Sequence, residues 1–201
     1  STPSDQGSYV SDIFVTNTRP GSLKGLGLDY DSLKAEMPRL IYAAVTGYGL
    51  TGPEADLINA ARASARRWLQ GQTPPTGDFG LIHADVLREN VLDGPDGLAL
   101  IDFDDSGYGF RLYDLGTALV QSLEEPHLPL LARALARGYG AARGTAAPDL
   151  QSLTLFTLLR AMASCGWIVT RAHPHDPRQR FYAERALSLA RHWLAGTTPL
   201  G

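Results

Sequence analysis

Asp93-Gly94-Pro95-Asp96-Gly97 constrains the fold of this chain more than any other stretch. It separates two apolar runs, Val91-Leu92 before it and residues 98–103 after it. Turn formers placed between β-favouring runs specify a hairpin. The reversal returns Asp102, at the end of the second strand, to the neighbourhood of Asn90, at the start of the first. Leu81-Ile82 reads as another short strand, leading into a loop with His83 and Asp85. Beyond this β-rich unit the spacing predicts helices over residues 128–142, 150–171 and 180–195, separated by Pro148 and then by Pro174 and Pro177.

The part before residue 57 reads differently. Strands are expected at 12–16 and 39–46, with a short helix at 32–36 between them. Pro53 can open a helix as its first residue, and Leu57, Ile58, Ala61, Ala65, Trp68 and Leu69 then share one face. Both lysines, Lys24 and Lys34, precede residue 57, and after it every basic residue except histidine is arginine. That shift suggests two unrelated segments meeting there. Asp56-Leu57 and Gly7-Ser8 can each be encoded by a sequence containing GATC, which fits a ligated, metagenomic-type fusion; codons lacking GATC would remove that support. Residues 1–9 are polar and read as a disordered arm or cloning scar.

Composition excludes several classes of function. With 44% hydrophobic residues in 201, the chain can bury a substantial core. A net charge of -3 gives no support for binding nucleic acid or an anionic membrane. The single Cys165 cannot form an internal disulfide and fits a reducing, cytoplasmic setting. No apolar run reaches the roughly 18 residues of a membrane span. Trp68, Trp167 and Trp193 fall on helical faces and read as packing, and His173-Pro174-His175-Asp176 reads as a polar turn.

The loop and hairpin carry the chemistry. Asp85 is placed to accept a proton from an attacking hydroxyl or to orient a water. Asn90 offers an amide oxygen and Asp102 a carboxylate, a hard oxygen pair suited to Mg²⁺ or Mn²⁺ with phosphate and water oxygens completing the shell. Asp104 is a second carboxylate candidate for the metal, ahead of Asp105. His83 joins Asp85 as a catalytic-loop candidate, with bracing the expected part of its work. Arg88, inside the loop, and Arg111 are candidates for steadying a phosphate.

From about residue 57 onward the chain resembles the C-terminal lobe of the aminoglycoside phosphotransferase and choline-kinase family, through Ile82-His83-Ala84-Asp85, Asn90, Ile101-Asp102-Phe103-Asp104, Gly107-Tyr108-Gly109 and Leu112-Tyr113-Asp114-Leu115. The resemblance implies an α+β, protein-kinase-like C-lobe, with Asp85 as catalytic base, Asn90 and Asp102 as metal ligands, and Asp114 as a structural residue. Ala84 stands where relatives often carry glycine. No lysine lies in this segment, and nothing in the sequence matches the family's nucleotide-covering N-terminal lobe. Efficient ATP use is therefore not expected.

Residues 10–56 resemble a fragment of class III CoA transferases. The resemblance rests on Asp12-Ile-Phe-Val-Thr-Asn-Thr-Arg19-Pro20-Gly21, Leu26-Gly27-Leu28-Asp29-Tyr30, Pro38-Arg39-Leu-Ile-Tyr and Gly47-Tyr48-Gly49-Leu50-Thr51-Gly52-Pro53. The family's catalytic Asp is not reached before the sequence changes, so this piece is expected to be a structural appendage. The Gly47 to Gly52 stretch also fits G-x-G-x-x-G, but no acidic strand end follows, as a dinucleotide unit needs.

The leading expectation is a promiscuous metal-dependent hydrolase of small-molecule phosphate esters. The alternatives are an ATP-dependent small-molecule O-phosphotransferase and an inactive fusion fragment. Without a small lobe, apolar surface beside the site needs cover from the appendage or from a second copy in a homodimer.

Overall fold

The structure is a computed structural model that describes residues 13–16, 41–44, 50, 52–71, 78–95, 97–173 and 176–201. Strands β1 (Ile13–Thr16) and β2 (Ile41–Ala44) pair in parallel, Ile13 opposite Ile41, and β2 lies against the long helix α4. The expected helix at 32–36, most of the glycine-rich stretch at 47–52 and the expected disordered arm fall outside the described residues.

The remaining elements are α1 (Pro53–Gly71), β3 (Phe79–Ile82), a 3-10 turn (Arg88–Asn90), β4 (Val91–Gly94), β5 (Gly97–Leu100) and β6 (Gly107–Phe110). Helices α2 (Leu112–Val120), α3 (Leu128–Arg143), α4 (Leu150–Arg171) and α5 (Pro177–Ala195) complete the chain. The described architecture is mostly helical with three two-stranded sheets. The expected hairpin forms, with Val91 opposite Leu100 and Gly94 opposite Gly97. Its second strand stops at Leu100, short of residue 103, because Asp102 adopts φ +63° and leaves the extended region. A second ribbon joins β3 to β6 in antiparallel register, Ile82 opposite Gly107. Strand β6 has no clear pattern in sequence, since two of its four residues are glycine.

The helices supply the core. Ile58, Ala61 and Ala65 of α1 are buried, with Leu57, Trp68 and Leu69 packed alongside. In α4, Leu153, Leu155, Phe156 and Leu158 are almost fully buried. Trp68 meets Phe156 and Trp193 edge to face, with centroids 6.2 and 6.4 Å apart. Trp167 differs from its expected packing role: it is 48% exposed and lies under the Arg171 guanidinium. Gly116 brings α2 against α4 so closely that a Cβ there would come within 2.5 Å of the Phe156 carbonyl carbon.

Caps explain the helix ends. Asp149 opens α4, its carboxylate accepting from the Ser152 amide at 2.8 Å. Helix α5 begins at Pro177, ahead of the expected residue 180, because Asp176 caps it and proline suits the first turn. Pro177 thus starts the helix that it seemed in sequence only to interrupt.

Candidate active site

The loop after β3 is bound to helix α2 by one carboxylate. Asp114 accepts the His83 backbone N–H at 2.9 Å and the Ala84 N–H at 2.8 Å, one on each oxygen. Ala84 sits at φ +66°, a conformation that favours glycine, so the grip of Asp114 holds a strained residue in place. Burial holds the Asp114 carboxyl above its ordinary range, against the pull of the two backbone hydrogen bonds.

His83 is the second fixture. It is buried, and its Nδ1 accepts the Asp85 backbone N–H at 3.3 Å. That bond leaves the ring hydrogen on Nε2, which donates to the Ile101 carbonyl at 2.9 Å. The ring also packs on Phe103 at a centroid distance of 4.5 Å. His83 therefore grips both neighbours of Asp102, itself strained at φ +63°. With both nitrogens engaged, the imidazole braces the loop against the chain before Asp102.

Asp85 and Asn90 meet directly. The Asn90 amide donates to the Asp85 backbone carbonyl at 2.9 Å and to Asp85 Oδ2 at 3.0 Å. Asn90 is buried, and its committed NH₂ leaves Oδ1 as the atom with acceptor capacity to spare. The Ile101 N–H donates to the Asn90 carbonyl at 3.1 Å, so the backbone delivers Asp102 next to Asn90. Asp102 and Asp104 are both exposed, and Asp104 lies in the turn closed by the Ser106 N–H on the Phe103 carbonyl.

The donor set fits a hard divalent cation, because one amide oxygen and one carboxylate leave positions for water and phosphate oxygens. Among the described residues no group of three His, Cys, Asp or Glu side chains forms a self-contained metal cage. A site completed by substrate needs none.

Arg160, on α4, went unnoticed in sequence. Its Nη2 lies 2.7 Å from Asp85 Oδ1, and it contacts the Tyr113 hydroxyl. Burial pushes the Tyr113 phenol up, against the opposing pull of Arg160. Arg160 has a sequence signature after all: no other charged residue occurs between Asp149 and Arg171. A lone charge in an apolar helix needs a partner. Arg88, by contrast, points its guanidinium at Ser122 and Glu125 on the turn after α2. Arg111 donates to the Phe79 carbonyl at 2.9 Å. An anion at either would have to compete with these bonds.

Large apolar side chains on β3, β5 and β6, and Phe103 after the hairpin, are exposed. Leu81, Leu98 and Tyr108 are 65%, 74% and 56% exposed, and Phe103 is 54% exposed.

Residues 29–153 match the phosphotransferase enzyme family. The chain belongs to that family. The match takes in residues on both sides of position 56. Among solved structures, a microcompartment-associated aminopropanol kinase superposes with TM-score 0.66 at 28% identity, covering 74% of this chain and 48% of the kinase. An amicoumacin kinase in complex with AMP-PNP, Ca²⁺ and Ami gives TM-score 0.52 at 17% identity, covering 74% of this chain and 47% of the other; this likeness speaks to the fold alone. The chain thus spans about half the length of these kinases.

Curated relatives carry the other resemblance. An acyl-CoA transferase of Fusarium pseudograminearum is 54% identical over 107 residues, 51% of this chain but 24% of its own length. A cinnamoyl-CoA:phenyllactate CoA-transferase of Clostridium sporogenes is 49% identical over 47 residues, 23% of this chain and 11% of its own. Both resemblances read from the sequence are present. Among the described residues, no helix is long and apolar enough to cross a membrane.

Proposed function

We propose that this chain carries the acceptor-activating half of a small-molecule O-phosphotransferase, moving a phosphoryl group from a nucleoside triphosphate to a hydroxyl. The observation that carries the reading is the Asp85–Asn90 contact at 3.0 Å, in a member of a phosphotransferase family. Membership of that family and kinase neighbours favour transfer to a hydroxyl over the ester hydrolysis expected first, for which nothing comparable speaks.

In this reading Asp85 accepts the hydrogen bond of the attacking hydroxyl and aligns its oxygen for in-line displacement. Asn90 fixes the rotamer of Asp85 and turns its own Oδ1 toward the phosphate side. Asn90 and Asp102 would hold Mg²⁺ or Mn²⁺, with Asp104 as a further carboxylate. Bound there, the cation supplies charge neutralisation on the phosphate oxygens. His83 and Asp114 keep the loop in the conformation that makes these placements. The aminopropanol kinase likeness suggests a small amino alcohol as acceptor, and residues 10–56 serve as a structural appendage to the catalytic unit at 57–201.

The test is phosphoryl transfer from ATP with Mg²⁺ to a panel of amino alcohols and sugars, followed by mass spectrometry. Asp85→Asn should lower kcat by about 10²- to 10⁴-fold. Equal turnover by wild type and D85N would refute the assignment. Release of inorganic phosphate from activated esters, without transfer from ATP, would restore the hydrolase.

A further inference from the structure

We propose that Arg160 is the positioning residue for the base: it locks the plane of the Asp85 carboxylate from the helical core. The carboxylate is bracketed, with Arg160 Nη2 on Oδ1 at 2.7 Å and Asn90 Nδ2 on Oδ2 at 3.0 Å. One donor on each oxygen fixes both rotation about the side chain and tilt of the plane. Each oxygen keeps a second lone pair, so an acceptor hydroxyl can still approach.

Arg160 is costly where it stands. Its side chain is only 17% exposed, its Nε has no hydrogen-bond partner, and no other charged residue lies on its helix before Arg171. A buried guanidinium with an unmade bond adds little to stability, so packing alone does not account for it. The guanidinium suits the task better than an ammonium would. Its rigid fork serves Asp85 with one nitrogen while the Tyr113 hydroxyl steadies the group. Tyr113 is next to Asp114, so the residue steadying Arg160 and the residue gripping Ala84 share the first turn of α2.

The kinetic part of this inference rests on the phosphotransferase reading; the geometric part does not. Two variants separate them, Arg160→Met and Tyr113→Phe. In crystal structures of wild type and R160M, the Asp85 carboxylate should rotate off Asn90 Nδ2 in the variant. An Asp85 side chain unmoved in R160M would overturn the proposal.

With ATP, Mg²⁺ and 1-aminopropan-2-ol as probe acceptor, R160M should lose about 30- to 100-fold in kcat, the scale set by a misplaced reacting group. The KM for ATP should stay within about threefold, since Arg160 acts on Asp85 and not on the nucleotide. Arg160→Lys should recover part of kcat, and Y113F should lose about three- to tenfold. Loss carried by KM, or kcat within about threefold of wild type in R160M, would also overturn it. If R160M does not fold, the Y113F structure decides: Arg160 and Asp85 both unshifted there would count against the proposal. If wild type transfers nothing, the phosphotransferase reading falls, while the position of Asp85 in the variants still tests Arg160.

Discussion

Replacing Asp114 by Asn tests how the strained loop is held. The carboxylate accepts two backbone N–H groups, at 2.9 and 2.8 Å, and one of them belongs to Ala84 at φ +66°. Asparagine keeps the shape but offers one oxygen, so one N–H is left facing an NH₂ group. An unmatched, partly buried donor costs about 1–3 kcal/mol, and strain at Ala84 that is no longer offset adds up to about 1–2 kcal/mol. The expected loss is about 2–4 kcal/mol in urea unfolding followed by circular dichroism.

The pH dependence gives an independent check. Burial raises the Asp114 carboxyl above its unfolded value. A raised acid contributes stability that is fully present below the unfolded value and lost as pH rises through the folded one. Asparagine does not titrate. The gap between wild type and D114N should therefore be widest in acid and narrow as pH climbs through the carboxylate range. A gap below about 0.5 kcal/mol at every pH, or one that widens with rising pH, would refute the reasoning.

Two further outcomes follow from close contacts and strain. Gly116→Ala would push a methyl to 2.5 Å from the Phe156 carbonyl carbon, so a loss of about 1–3 kcal/mol and a lower Tm are expected in calorimetry. Ala84→Gly removes the left-handed penalty at φ +66° and should raise the urea midpoint slightly, by up to about 1 kcal/mol of stability, without altering the circular dichroism spectrum.

What sequence could reveal depended on how local the cause was. The hairpin was legible because Asp93 to Gly97 forces a reversal whatever packs against it, and the neighbourhood of Asn90 and Asp102 followed from that reversal. The amphipathic face of α1 was legible for the same kind of reason. Helix α2 was not, since its short run Leu-Tyr-Asp-Leu-Gly-Thr-Ala-Leu-Val is apolar nearly all round and shows no stripe. Pro177 misled because a helix breaker and a helix starter are the same residue in different places. Arg160 lies far along the chain from Asp85, and only folding α4 beside the loop joins them. Arg88 had the right neighbours in sequence, yet Ser122 and Glu125 claim it in space.

The imidazole of His83 reaches the loop at Asp85 and the chain just before Asp102. One nitrogen receives the amide of Asp85, and the other gives its hydrogen to the carbonyl preceding Asp102. Asp85 and the backbone leading into Asp102 are therefore yoked through a single five-membered ring. Neither can drift alone, and damage at one end is felt at the other, so losses from paired substitutions at these two aspartates should fall short of the product of the single ones.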